Sequence, residues 1–521
     1  MAHANGGRVG IKVWAVSAIS ALVLAACGGG GGGGAPAPVA TTDPAVTPGG
    51  SCVAAAQQTP VAVDRVEAVA RRATVASDSG IPKARQLVAP RALQVALGAV
   101  TAAKLATEST PSSLRGAPRK VGFTRDLPQA TATGLALNWQ TLADGQRAAS
   151  VSITSPSAKG VRLGLLVRSL PANATLRVYA QSGSTAFEVP AADVLLALQK
   201  NAAAGATGNA ARTYWTPVVE GAESTLEVAL PAGADTALVD LAVPQLSHLF
   251  ALPTDDGAAS DAVTPKIGEA GSCEVDATCD ASYQAESNSV AKMIFSDTGG
   301  TFQCTGTLLN DHLNSGTPYF VSANHCISTQ AAASTLQTYW FYRAPSCGAG
   351  TLNPAARQLT GGATLLYASV NTDTSFMRLN TTPPAGAVYA GWSVAAPPLA
   401  VAVGSLHHPE GDLLKLSTGT VKSYQNCTLT TGPNGDLTCV STAQPSSNFV
   451  DTLFTSGSTE EGSSGAALFQ TIGSGRYVVG QLFGGSSSCS LRTGSNIYGR
   501  FDAAYNTSLK QWLAAPVVPN C

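Results

Sequence analysis

Gly462-Ser463-Ser464-Gly465 sets a serine hydroxyl between glycines. Such a hydroxyl is a weak nucleophile until a neighbouring base takes its proton, and the tetrahedral oxyanion that follows needs amide donors already aimed at it. Glycine on both sides permits the tight turn that both demands require. In a chain with 53 glycines the same four residues also arise by chance, so their meaning rests on what the rest of the sequence supplies.

A base is available among the six histidines. His325 stands in Phe320-Val321-Ser322-Ala323-Asn324-His325-Cys326, after an apolar strand and beside a cysteine that can fix it. His3 lies in the leader, His248 in the N-terminal half and His312 in a polar turn. His407 and His408 are adjacent and would point to opposite faces of a strand, so they read as structural or hydrogen-bonding groups rather than a joint metal site. A third group has to orient the imidazole, and Asp373 stands just before a strand at Ser375–Leu379. Of the other aspartates between His325 and Ser464, Asp436 reads as a turn residue, Asp451 lies too near the serine, and Asp412 remains. The intervals are 48 residues from 325 to 373 and 91 from 373 to 464. Order and spacing follow the chymotrypsin-type template, with intervals of about 45 and about 93, in which the N–H groups of Gly462 and Ser464 would form the oxyanion hole. The order His, Asp, Ser disfavours an esterase of the α/β-hydrolase type, which runs Ser, acid, His.

Outward from these motifs, cysteine usage divides the chain. Of 11 cysteines, Cys27, Cys52 and Cys521 lie near the ends; the other eight, from Cys273 to Cys489, all fall in the C-terminal half. In an exported chain they imply disulfides rather than metal thiolates, and no metal or cofactor is expected. Export is indicated by Arg8 and Lys12 ahead of the uncharged stretch Val13 to Ala26, too short to span a bilayer and read as a signal peptide. Its end, Leu24-Ala25-Ala26-Cys27, is similar to a bacterial lipobox, which would lipidate Cys27 and attach the chain to a membrane; an ordinary cleavage site beside an incidental cysteine is the alternative. The expected location is the outer membrane or cell surface, or the extracellular space after processing. Charged residues are 12% of the chain and the net charge is −1, with no basic stripe, which excludes nucleic acid as a partner.

Domain limits follow from composition. Residues 1–27 read as the signal peptide, and 28–60 as a Gly-, Pro- and Thr-rich linker that begins with the run Gly28 to Gly34. Residues 61–266 read as a pro-region, with little fixed structure to about 125 and a β-rich, sandwich-like domain at about 130–250 in which Asp193 to Ala204 is the one helix. Cleavage is expected near Lys266. Residues 267–521 carry twelve expected strands, which suit two six-stranded barrels: Cys304–Leu309, Tyr319–Ala323, Leu336–Arg343, Thr364–Ser369, Ser375–Leu379, Val401–His407, Leu413–Tyr424, Leu437–Ser441, Phe449–Phe454, Ala466–Gln470, Tyr477–Leu482 and Asn496–Phe501. A terminal helix is expected at Ser508 to Ala515. The fold class expected is all-β, a double six-stranded antiparallel barrel preceded by the smaller sandwich-like domain.

Residues 270 to 513 resemble the bacterial lysyl endopeptidases, a branch of the trypsin-like peptidases. The resemblance is carried by Ala270-Gly271-Ser272-Cys273, Cys304-Thr305-Gly306-Thr307-Leu308-Leu309-Asn310, Tyr319 to Cys326, His407-His408-Pro409, Thr459 to Gly465, Gly480-Gln481-Leu482 and Tyr498-Gly499-Arg500. It implies a serine endopeptidase acting on protein or peptide substrates through an acyl-enzyme, with disulfides Cys273 to Cys489, Cys279 to Cys347 and Cys304 to Cys326. Cys427 and Cys439 flank Thr431 to Gly435 and are expected to clip their own hairpin.

The specificity pocket departs from the family. Lysine-specific members carry an aspartate two residues before Tyr-Gly-Arg, where this chain has Asn496, and Ser458 stands where trypsin places its pocket aspartate. Glu460 remains as a candidate acidic group on the pocket wall, and Phe483 and Gly484 are expected on the strand that pairs with the substrate backbone. A buried lysine ammonium among neutral groups costs several kcal/mol, so strict lysine preference is not expected. Ser463 replaces the aspartate that pairs with a new N-terminus in trypsin, which excludes activation by that ion pair. A monomer is expected. The rival class is a surface-tethered binding module that kept the fold without the activity, and the complete triad argues against it.

Overall fold

The computed structural model describes residues 62–70, 83–84, 92–110, 118–251, 267–429 and 437–514; the signal peptide, Cys27, the linker 28–60, Cys52, Lys266 and Cys521 lie outside the described residues. The described residues belong to one compact unit. Among them no helix is long and apolar enough to cross a membrane.

The C-terminal barrel closes on itself. Ala402–His407 pairs with Lys415–Leu429, which pairs with Phe449–Ser456, then Asn496–Arg500, Gly475–Gly485 and Ala467–Ile472, which returns to Ala402–His407; every pairing is antiparallel. Its interior holds Val403, Val421, Phe454, Leu468 and Tyr498. The first barrel uses Val290–Asp297, Gly300–Leu309, Tyr319–Ala323, Thr374–Leu379, Ala363–Ser369 and Gln337–Trp340. Arg357–Leu359 pairs with Gln337–Trp340 and leads through Gly361 and Gly362 into Ala363–Ser369. That bend requires glycine: φ at Gly362 is +69° and a Cβ there would stand 2.4 Å from Ser334 O. Strand alternation then builds two layers at once. Phe320 enters the core of the first barrel, and Val321 enters the layer between barrels with Phe376, Trp392, Phe469 and Phe501.

Most expected strands are found, Tyr319–Ala323 and Leu437–Ser441 with unchanged limits. Three corrections follow from packing. Val290–Asp297 belongs to the first barrel and had no expected strand; seven of its eight residues are buried on both faces, so its sequence does not alternate. Leu437–Ser441 pairs only with Lys415–Leu429 and is a hairpin arm outside the barrel, clipped by Cys427–Cys439. The terminal helix begins earlier than Ser508: a continuous helical run covers Phe501–Leu513, with a π-turn at Tyr505–Leu509, because Phe501 and Tyr505 both pack on Trp392.

Upstream stands the sandwich-like domain. One sheet orders Lys83–Ala84, Thr185–Pro190, Thr175–Tyr179, Glu223–Leu230, Arg147–Thr154 and Leu93–Ala96; the other orders Thr213–Trp215, Gly160–Ser169, Asp240–Leu249 and Arg119–Asp126. Val151, Leu163, Leu165, Leu176, Leu226 and Leu246 fill the space between them with no exposure. The expected helix spans Ala191–Ala203.

This domain shares a sheet with the first barrel. Arg119–Asp126 pairs antiparallel with Gly300–Leu309, from Gly300 opposite Phe123 to Gln303 opposite Arg119. Arg162, 1% exposed, donates from one NH to Ser296 Oγ (3.1 Å) and from the other to Thr335 O. Farther upstream, Arg65–Val66 pairs with Trp392–Ser393 and Val69–Ala70 with Val388–Tyr389. Glu67 accepts from the Tyr477 hydroxyl (2.7 Å) through its carboxylate and from Asn310 Nδ2 (2.9 Å) through its carbonyl. The expectation of little fixed structure between 61 and about 125 therefore fails for the described residues. Arg65–Val66, Val69–Ala70 and the end of Arg119–Asp126 that meets Gly300–Leu309 take their strand partners from residues more than 150 positions away, which local periodicity cannot report.

Candidate active site

His325 and Asp373 come from neighbouring strand ends of the first barrel. Tyr319–Ala323 and Thr374–Leu379 pair antiparallel with Ala323 opposite Thr374, which brings the residues just beyond them together. Asp373 Oδ2 meets His325 Nδ1 at 2.7 Å, and Oδ1 accepts from the His325 backbone N–H at 2.9 Å. One carboxylate thus fixes both the ring and the backbone that carries it. Asp373 adopts a left-handed φ of +49°, held by the Asn324 N–H donating to its carbonyl at 2.8 Å. Burial pushes its carboxyl above the ordinary range, against the opposing pull of His325. The Cys304–Cys326 disulfide braces the next residue.

Ser464 comes from the second barrel, on the turn before Ala467–Ile472. Gly462 and Gly465 have φ of +89° and +81°. A Cβ at Gly465 would stand 2.1 Å from Ser322 Oγ and 2.5 Å from Thr305 O, so glycine alone lets the turn lie against Tyr319–Ala323, the strand that leads to His325. Thr305 clamps the turn: its N–H donates to Ser464 O (2.8 Å) and its Oγ1 to Gly462 O (2.9 Å). Ser464 is 3% exposed. The N–H groups of Gly462 and Ser464 find no acceptor among the described residues. His325 Nε2 is likewise buried without a partner, so a serine-to-imidazole bond is not yet made.

The expected pocket residues are placed as follows. Asn496 is fully buried, its Oδ1 accepting from Thr459 Oγ1 (2.8 Å) and its Nδ2 donating to Thr452 O (3.3 Å). Ser458, also fully buried, shares a hydrogen bond with Ser487 Oγ (2.8 Å). The Glu460 carboxylate turns to the Gly271 N–H (2.9 Å). Asp451 accepts from the Asn496 N–H (3.2 Å) and pairs with Lys422 (3.3 Å). Phe483 lies between His325 and Phe449, with ring centroids 5.9 and 5.3 Å away. Gly484 follows at a bulge opposite Ile497.

All four expected disulfides are present: Cys273–Cys489, Cys279–Cys347, Cys304–Cys326 and Cys427–Cys439. Among the described residues, two groupings have metal-like spacing, Cys304 with His325 and Cys326, and Cys273 with Glu274 and Cys489. Their sulfurs are bonded to each other and offer no thiolate.

Beyond the expected residues, Gln481 Nε2 donates to Thr372 O (2.7 Å) and Thr374 Oγ1 (3.0 Å), tying the second barrel to the Asp373 loop. Its place in Gly480-Gln481-Leu482 was the available signal. His407 meets Ser463 Oγ at 2.8 Å, next to the candidate nucleophile; its motif was visible and its partner was not.

Two six-stranded barrels, with a serine turn on one facing a His–Asp pair on the other, define a trypsin-like serine peptidase. The family model for the lysyl endopeptidase C-terminal domain matches residues 267–499, and that for the lysyl endopeptidase N-terminal domain matches residues 95–250. A lysyl endopeptidase of Pseudomonas aeruginosa is 35% identical over 394 residues, covering 71% of this chain and 76% of that protein. The chain belongs to the lysyl endopeptidase family and is a serine-type endopeptidase. Among solved structures, the thermostable serine protease AL20 from an extremophilic microorganism aligns with a TM-score of 0.29 and 15% identity, over 44% of this chain and 100% of that one. The MamO protease domain of Magnetospirillum magneticum aligns with a TM-score of 0.29 and 11% identity, over 43% of this chain and 98% of that one.

Proposed function

We propose that Ser464 attacks the scissile carbonyl, His325 takes its proton and returns it to the leaving amine, Asp373 orients the imidazole, and the N–H groups of Gly462 and Ser464 hold the oxyanion. The observation that carries this reading is the double contact of Asp373 with His325, which holds the ring by Nδ1 and its own backbone and leaves Nε2 buried with no hydrogen-bond partner among the described residues. A fluorophosphonate probe tests it: labelling of the wild type that disappears in Ser464→Ala is expected, and an unlabelled wild type refutes it.

Strict lysine specificity is not part of this proposal. Asn496 and Ser458 are neutral and already hydrogen-bonded, Glu460 is engaged by Gly271, and the Asp451 charge is met by Lys422. A lysine ammonium at P1 would find neutral groups at Asn496 and Ser458, a Glu460 carboxylate turned to the Gly271 N–H, and an Asp451 carboxylate already paired with Lys422. Profiling of P1 should give less than about a hundredfold preference for lysine, about 3 kcal/mol of discrimination, and Asn496→Asp should raise it. A larger preference in the wild type refutes this part.

The chain is further proposed to be exported, attached to a membrane through Cys27 or released after a cut near Lys266, and monomeric. Mass spectrometry of the mature N-terminus decides between attachment and release.

A further inference from the structure

His407 sits at the end of Ala402–His407 with no exposure, and its ring lies between Ser463 of the serine turn and Ser417 of Lys415–Leu429. Nδ1 meets Ser463 Oγ at 2.8 Å and Nε2 meets Ser417 Oγ at 3.0 Å. Ser417 Oγ donates to Ser458 O (2.6 Å), and the Glu460 N–H donates to Ser463 Oγ (3.3 Å). His407, Ser417, Ser458 and Ser463 are all fully buried.

The direction of every bond follows from proton count. Ser417 has one hydroxyl proton, and the Ser458 carbonyl takes it, so Ser417 Oγ must accept from His407 Nε2–H. Burial, aided by Lys415, drives the His407 pKa down to about 3, so the ring is neutral and carries a single proton. Nδ1 is therefore an acceptor, and Ser463 must donate to it. The neighbouring Glu274, with Oε2 3.7 Å from Nε2, is pushed up to about 9 by burial and by Glu460, so it is protonated and the contact is not an ion pair. One neutral imidazole thereby fixes Ser458 O, through Ser417, and Ser463 Oγ, the two ends of a six-residue segment that leads directly into Ser464.

We infer that His407 is a positioning residue for Ser464: its hydrogen bond from Ser463 sets the turn that carries the nucleophile and the Gly462 and Ser464 amides. This rests on the reading of Ser464 given above. No charged N-terminus has to arrive for that turn to form, because Ser463 is satisfied by a group already folded into the second barrel.

The test uses the full chain, measuring peptide-amide turnover and the rate of fluorophosphonate labelling. Ser463→Ala and His407→Gln should each lower kcat and the labelling rate at least tenfold while KM changes less than twofold. The double variant should fall within about twofold of the lower single variant, since both remove one bond. His407→Asn, whose Oδ1 falls near the place of Nδ1 and can accept from Ser463, should keep at least a third of the wild-type kcat. His407→Gln labelling at the wild-type rate, full additivity in the double variant, or equal damage from Asn and Gln would each overturn the inference. Should His407→Gln fail to fold, Ser463→Thr against Ser463→Ala carries the test: activity retained only with the hydroxyl supports it, and equal loss overturns it. An unlabelled wild type would instead remove the reading of Ser464 itself, and is recognisable because no variant is then needed to see it.

Discussion

Replacing Glu274 by glutamine should stabilise the protein, and by an amount that grows with pH. Glu274 follows Cys273 of the Cys273–Cys489 bridge, its side chain has no exposure, and neither carboxylate oxygen has a hydrogen-bond partner. Burial, with Glu460 adding to it, raises its pKa from an ordinary 4.5 to about 9. A raised folded-state value means that the favourable contribution is complete below pH 4.5 and is lost as pH rises toward 9. At pH 7 the unfolded chain has released a proton that the folded chain must keep. With each pH unit between the ordinary value and pH 7 contributing about 1.4 kcal/mol, that cost is about 3 kcal/mol, and the result does not depend on the folded value as long as it exceeds 7. Glutamine has the shape of the protonated acid and never bears the charge, so the cost disappears, while the unpartnered polar atoms are common to both. In a Ser464→Ala background, which prevents self-digestion, urea unfolding should show the glutamine variant roughly level with its parent near pH 4.5 and about 3 kcal/mol more stable at pH 7. Were the 3.7 Å contact with His407 a buried ion pair, the same substitution would destabilise by about 3 to 5 kcal/mol. A destabilised variant, or a difference that does not change between pH 5 and 8, refutes the reasoning.

Three further outcomes follow from the site. Gly465→Ala drives a Cβ to 2.1 Å from Ser322 Oγ at a φ of +81° and should lower kcat/KM at least a hundredfold, whereas Gly473→Ala, with open space around it, should leave kcat/KM unchanged. Asp373→Asn should reduce kcat by about 10⁴-fold with circular dichroism and melting temperature near those of the parent, since the loss is one of imidazole orientation. Removing the Cys304–Cys326 bridge with paired alanines opens a loop of sequence separation 22 and should cost about 3 kcal/mol in calorimetry, with an added loss of kcat because His325 precedes Cys326.

The candidate triad could be proposed from the sequence because its members lie beside recognisable strands and glycines, and the spacing of three residues over 140 positions is hard to meet by chance. Tyr319–Ala323 was readable to the residue because turn residues bound it, while Val290–Asp297 was not, since a strand buried on both faces loses the period of two. Lys292 in the middle of that strand misleads further. It is 1% exposed and satisfied by Gly411 O (2.6 Å) and the Tyr342 ring (3.9 Å), partners no sequence pattern announces. The same limit hid the His407–Ser463 bond, between residues 56 positions apart. Glu460 was readable as an acid near the serine, but its direction toward Gly271 depends on a segment 189 residues earlier.

The pairing of Arg119–Asp126 with Gly300–Leu309 covers one margin of the first barrel. A peptidase barrel separated from the upstream domain would present Gly300, Thr301, Phe302 and Gln303 as an unpaired strand margin, with backbone donors and acceptors open to any passing strand. Each released molecule would then carry a template for association with its neighbours. A chain that sheds its leader should therefore lose solubility at high concentration before it loses activity.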